Sequence, residues 1–497
     1  MTKASRRTAG GATAALVLLA AAAGCGPPPA PAAADRPESA ERRAAGGETR
    51  QPATPAAAEQ ADASNEAAPS RCDEQCARRI ADAAKILDRA RAVTDARFRA
   101  AQLKGAGDRF VAAWRGCDLR VPGGADLGCA GAGSLPLRMS EAYAEAGRDD
   151  GLIFAYLVAI DPRWRLSESP TADKAPAELA RIAERAEQQA RAQPAAHGAD
   201  AALAAAAHAR LALGDPGLAA QDAALYTKAY GRSRAEEVAL LGVAIARHHV
   251  DRGDWQRALE ALSPAAGPAG NADLRVKLLW HATRGRALAG LGRGAQADQA
   301  FGQVVQLWRP PDPSKPAQSI GHDVPAPMLG REEVLDAVGA AFFFAAERTR
   351  ERAAEPAVPA YSGPASVKAV NEHVKTKIAR WAAERHKRVV QASEAYRKVT
   401  ELRPVPPVRW VVAATARMGE LWADFADAFG GAAVPAPVAA DTELAAQWKQ
   451  ATTEASRPLL AKARTAFEAC RKAAQHGAVR DEHAERCERW LSEHPAP

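Results

Sequence analysis

The chain has 497 residues, enough for two or more domains, with 47% hydrophobic but only 5% aromatic residues. Its formal charge of +7 includes Lys3, Arg6 and Arg7 at the start, so the remainder is mildly basic and lacks the concentrated footprint of a nucleic-acid binder. Long stretches of Ala, Arg, Glu and Leu at helical period, with no run of alternating β-branched residues, argue against a sheet protein and predict an all-α body.

Residues 1–24 carry Lys3, Arg6 and Arg7, then the apolar run Ala14–Ala23, and no acid. That is the pattern of a secretory signal peptide, too short and wrongly flanked to span a bilayer. Its end, Ala22-Ala23-Gly24-Cys25, resembles the lipobox of bacterial lipoproteins, departing from it at Ala22, where leucine is preferred. The resemblance implies that Cys25 carries the lipid and begins the mature chain. Gly26 in place of aspartate then implies the outer membrane, with the body in the periplasm. An ordinary cleavage site, or a twin-arginine route led by Arg6-Arg7, are the alternatives. Residues 25–70 are rich in Pro, Ala, Glu and Gln and almost free of large apolar side chains, so they read as a disordered tether behind the anchor.

Residues 71–134 predict an N-terminal helical hairpin. Arg71–Lys104 reads as one helix on the period of Ile80, Ala84, Leu87, Ala90 and Val93. Gly105–Gly107 breaks it, Asp108–Gly116 is a second helix, and Val121–Ser134 is a glycine-rich loop.

Residues 135–310 hold four candidate helical hairpins. Three share a register: Gly214, Gly253 and Gly292 stand 39 residues apart, and Ala219, Ala258 and Ala297 keep the same step. In Lys277–Pro310, Gly285 marks a close approach of two helices, Gly292 the turn, Ala297 a second close approach, and Phe301 and Val304 fill the gap. Leu135–Trp164 matches less closely, through Tyr143, Gly147, Leu152, Tyr156 and Ala159. This order of small and aromatic residues resembles the tetratricopeptide repeat. The resemblance implies a solenoid of helical hairpins whose first helices line a partner-binding groove. On that geometry Arg247, His248, Thr283, Arg284 and Arg286 are the expected partner-binding residues, polar and off the packing positions Ile245, Ala246, Gly285 and Leu288. An alanine-rich bundle with accidental spacing is the alternative.

Residues 311–365 read as a proline-rich connector with one helix, Leu329–Ala353, in which Phe342-Phe343-Phe344 cannot all face one way. Residues 366–497 read as a C-terminal helical domain. It begins with a long helix, Ser366–Leu402, whose basic face is solvated or meets an acidic partner or an anionic membrane surface. Helices over Trp410–Phe429, Asp441–Gly477 and Asp481–Leu491 follow. The section RKVTELRPVPPVRWVVAATARMGELWADFADAF, Arg397–Phe429, resembles the C-terminal part of large periplasmic repeat lipoproteins of gliding deltaproteobacteria.

Seven cysteines less Cys25 leave six. Cys470 and Cys487 flank the break at His476-Gly477, so a helix hairpin brings them together as a disulfide. Cys72, Cys76, Cys117 and Cys129 pair among themselves, in an order the spacing leaves open; a metal site is the alternative, weakened because no histidine lies near them. The chain has no phosphate loop, HExxH or GxSxG, so neither an enzyme nor a cofactor is expected. The reading is a non-enzymatic envelope lipoprotein scaffold for protein–protein interaction. A self-associating structural or assembly factor is the alternative.

Overall fold

The computed structural model describes residues 74–116, 135–161, 174–309, 329–353, 358–364 and 366–495. The expected signal peptide, Cys25, the expected tether, Cys72, Cys117, Cys129, the glycine-rich loop and most of the proline-rich connector lie outside them.

All the regular structure of the described residues is helical. The elements are α1 (Glu74–Arg91), α2 (Ala96–Gly116), α3 (Leu135–Glu145), α4 (Asp149–Ile160), α5 (Ala175–Ala192), α6 (Ala199–Ala212), α7 (Pro216–Tyr230), α8 (Ala235–Asp251), α9 (Trp255–Leu262), α10 (Ala266–Asn271), α11 (Leu274–Gly290), α12 (Gly294–Leu307) and α13 (Arg331–Ala353). Then come α14 (Val367–His373), a π-turn (Val374–Ile378), α15 (Ala379–Thr400), α16 (Val408–Gly430), α17 (Ala436–Ala439), α18 (Thr442–Gly477) and α19 (Glu482–Glu493).

Two layers result. In the front layer α4, α6, α8, α11, α13 and α16 each stack on the next, and behind them α5, α7, α9, α12, α15 and α18 close the hairpins. The three registered repeats are α6–α7, α8–α9 and α11–α12. Their turn glycines adopt φ of +81°, +77° and +71° at Gly214, Gly253 and Gly292, the left-handed conformation that ends a helix without steric cost only at glycine. Ala219, Ala258 and Ala297 are fully buried where paired helices approach closest.

Gly285 shows why the approach needs a missing side chain. A Cβ there would lie 2.9 Å from the Phe301 ring, which is buried between the two helices. Gly419 of α16 meets Phe467 of α18 in the same way, with a Cβ at 2.7 Å, so the C-terminal hairpin repeats the device. Consecutive rings on α13 join the two regions. Phe344 packs on Phe301 at 4.5 Å, and Phe343 packs on Trp410 and Tyr396 at 5.2 and 5.7 Å.

Two expectations need correction, and one unassigned span is filled. Arg71–Lys104 is not one helix: the chain turns at Ala92–Asp95, where the Asp95 carboxylate accepts from the Phe98 N–H at 2.7 Å and starts α2. That helix then runs through Gly105 and Gly107, because Gly107 marks a close approach to the Tyr143 ring. The pair α3–α4 turns at Gly147 as expected, but α4 stacks on α6 and so lies in the front layer, where the registered repeats place their first helix. The reason is its sequence, DDGLIFAYLVAI, apolar on every side and buried at Leu152, Ile153, Phe154, Leu157 and Val158. Such a helix must be covered by neighbours all round. The span between Trp164 and Ala201, unassigned from sequence, holds α5, an amphipathic helix entered through Pro176.

Ser366, Asp441 and Asp481 cap the C-terminal helices with side-chain acceptors. Cys470 and Cys487 are disulfide-bonded, Cα atoms 6.3 Å apart, tying α19 to α18. Cys76 is buried and disulfide-bonded as well.

Gly285→Leu should lower the melting temperature sharply, because overpacking at this approach costs about 1–3 kcal/mol or more. Gly302→Ala, on the same hairpin with nothing near its Cβ position, should raise it through a helix-propensity gain of about 0.5–1 kcal/mol. Thermal melts followed by circular dichroism check both. Cys470→Ser with Cys487→Ser should cost roughly 3 kcal/mol in a urea titration, from restored freedom of the unfolded chain.

Candidate partner-binding groove

The described residues hold a groove of about 890 Å³, open along the front layer between α2, α4, α6 and α8. Its floor is Ala201, Ala204, Ala205 and His208 of α6, with Tyr226 behind. One wall is Asp108, Val111, Ala112 and Arg115 of α2 with Asp150 and Phe154 of α4; the other is Arg234 and Glu237 at the start of α8.

The 39-residue step explains why the groove is here. Ala201 on α6 corresponds to Leu240 on α8 and Leu279 on α11, and Ala204 to Val243 and Ala282. Leu240 and Leu279 are buried, whereas Ala201 is exposed. On α6 the methyl groups of alanine leave room for the groove.

The polar groups are arranged unequally. Asp108 is held by Lys104 at 2.6 Å and accepts from the Tyr143 hydroxyl at 3.0 Å; burial and this carboxylate push the Tyr143 phenol above its usual range. Burial works against ionised Asp150, but two hydrogen bonds from Arg148, at 3.0 and 2.7 Å, outweigh it and hold the carboxyl below the usual value. Asp200 pairs with Arg234 at 2.9 Å. The Arg115 guanidinium lies 5.9 Å over the Phe154 ring. By contrast Glu237 makes no hydrogen bond or ion pair within 4.0 Å among the described residues, and burial pushes its carboxyl upward against the pull of Arg275. His208 is 4% exposed, its Nδ1 lacks a hydrogen-bond partner, and burial pushes the imidazole down to about 4.

None of the five expected partner-binding residues lines the groove. Arg247 and Arg286 occupy the register position of groove-lining His208, one and two 39-residue steps along. Thr283 shares the position of Ala205, yet it is 3% exposed, packed under the filled face of α11, and so is not available to a partner. Arg286 is tied to Asp251 at 3.0 Å, and Arg284 lies exposed over the Trp280 ring at 5.3 Å. His248 is half-buried, and burial with nearby Arg252 pushes its imidazole down. His249 is buried and packs, its Nδ1 3.6 Å from Asp254. The signal that finds His208 was available: it is Arg247 moved back by one repeat.

Among the described residues no cluster of three or more His, Cys, Asp or Glu side chains could hold a metal ion, and no helix is long and apolar enough to cross a membrane. No protein-family model matches the chain, and no curated protein does. A search of solved structures finds the tetratricopeptide-repeat domain of P58(IPK), 14% identical, covering 83% of this chain and 99% of that one at a TM-score of 0.16. The superposition at that score is poor, and the tetratricopeptide-like architecture rests on the hairpins, turn glycines and repeat step of this chain.

Beneath the groove floor lies an ionic cluster between α5, α6 and α7. Asp222 is 1% exposed; burial and nearby Glu187 push its carboxyl up to about 7, against Arg210, whose Nε stands 3.8 Å away, beyond hydrogen-bond reach. A carboxyl raised in the folded state binds its proton there while the unfolded chain has already released it. Its contribution therefore falls as pH rises from 3.8, the ordinary value, to about 7. Asp222→Asn should match the parent's melting temperature near pH 4 and exceed it by a few degrees near pH 8. Melting curves at the two pH values test the sign.

Proposed function

We propose that this chain is a non-catalytic scaffold of the cell envelope, docking protein partners in the groove between α2, α4, α6 and α8 and held at the outer membrane by lipid on Cys25. The observation that carries the docking reading is the unfilled front face of α6. Where the next two repeats carry Leu240 and Leu279, this position carries Ala201, beside a cleft of about 890 Å³ with charged side chains along its walls. Small apolar side chains with a few convergent polar groups are the lining of a ligand cleft. The envelope reading rests on the sequence of residues 1–25 alone.

Ala201 is exposed in the groove, so Ala201→Trp should fill it without disturbing the hairpins. Capture of partner proteins from envelope extract should fall at least about tenfold, a loss of roughly 1.4 kcal/mol, with the melting temperature unchanged. Arg284→Ala should leave capture intact; the reverse pattern would move the site to α11. Cys25→Ser should release the protein from membranes, and globomycin should block its maturation. A serine variant that stays membrane-bound rejects the lipid anchor.

A further inference from the structure

The chain carries net positive charge, but the groove does not. Its lining has four acids, Asp108, Asp150, Asp200 and Glu237, against two arginines, Arg115 and Arg234. Three of the four acids are neutralised from within: Asp108 by Lys104, Asp150 by Arg148 and Asp200 by Arg234. Glu237 is left over, desolvated, and without a hydrogen bond or ion pair within 4.0 Å among the described residues. A half-buried carboxylate in this state is costly unless a donor reaches it.

A second observation points the same way. His208 lines the floor with its ring 4% exposed and Nδ1 unpartnered. As a neutral imidazole it has one nitrogen that accepts a hydrogen bond and one that donates. Nδ1 itself is closed off from the cleft, so His208 gives the groove a neutral floor with no cation to repel a lysine or arginine head. The Phe154 ring, 9% exposed, adds an aromatic edge against which the aliphatic stem of lysine or arginine can lie.

We infer that the groove selects an extended segment of a protein partner carrying a lysine or arginine side chain, whose cationic head pairs with Glu237. This rests on the docking reading above and adds the chemistry of the occupant. An acidic segment is disfavoured, since it would bring a like charge onto Glu237.

The test uses the purified full chain on an array of random 12-residue peptides at moderate salt. Bound peptides should be enriched in lysine and arginine, and the enrichment should weaken as salt is raised. Glu237→Gln, which keeps the shape, should weaken binding of the selected peptides about tenfold or more, as removal of one partner of a desolvated charge pair does. Glu237→Lys should turn the preference toward aspartate and glutamate, which a merely structural role would not produce. Peptides retained with no charge preference, with an acidic one, or with equal strength by Glu237→Gln overturn the inference and leave the docking groove standing. Binding of no peptide, by parent and variants alike, overturns the groove itself.

Discussion

Glycine facing an aromatic ring is the contact on which the stack depends. Gly285 lies against Phe301, Gly419 against Phe467, Gly151 against Tyr143 and Gly339 against Trp410, each on a front-layer helix and each with a ring where its Cβ would be. The missing side chain lets two backbones approach, and the ring supplies the apolar area that the glycine lacks. A chain with only 5% aromatic residues spends many of them in this way. Alanine fills the remaining contacts, so the helices pack closely but each contact contributes little area. The uneven size of the residues between the layers then decides where the stack is filled and where it stays open.

Much of this was legible in the sequence, because the repeat step is an arithmetic property and the turn glycines carry their own conformational signature. The capping aspartates Asp441 and Asp481 likewise mark helix starts wherever they occur, since an acceptor before an apolar period satisfies otherwise orphaned N–H groups. What could not be read was which layer a helix joins. The α4 sequence is apolar on all sides, so its periodicity names no preferred face, and only its neighbours place it. The helix α5 was recoverable, from Pro176 and the period of Leu179, Ile182, Ala186 and Ala190. The groove was harder, because it arises from the absence of side chains on α6, and an alanine run reads equally as a close-packed face. Comparing the repeats position by position separates the two, since Leu240 and Leu279 show how large a residue that position accepts.

The electrostatics follow from the same geometry. Small residues bring α5, α6 and α7 together tightly enough to strip water from Asp222, while Arg210, restrained by Glu187 and Asp222 at 3.8 Å each, neutralises it incompletely. In the C-terminal half the opposite holds. Glu347 accepts from Tyr396 and pairs with Arg350 and Arg417 at 3.0 and 3.2 Å, and Glu420 binds Arg417 and Arg486. There the ion pairs form a connected set, with each acid meeting two arginines, so burial leaves neither acid without a partner.

The paired rings of Phe343 and Phe344 carry a consequence for how the chain unfolds. Neighbouring residues of a helix point about 100° apart, so one helix cannot rotate to improve one ring contact without losing the other. The α13 helix thus has a single angular setting, fixed jointly by Phe301 of the repeats and by Trp410 of the C-terminal helices. Stacked-repeat proteins lose cooperativity where adjoining units are weakly coupled. Here a keyed joint stands at the place where the sequence suggests a connector, and it should make the two halves share one transition in place of two.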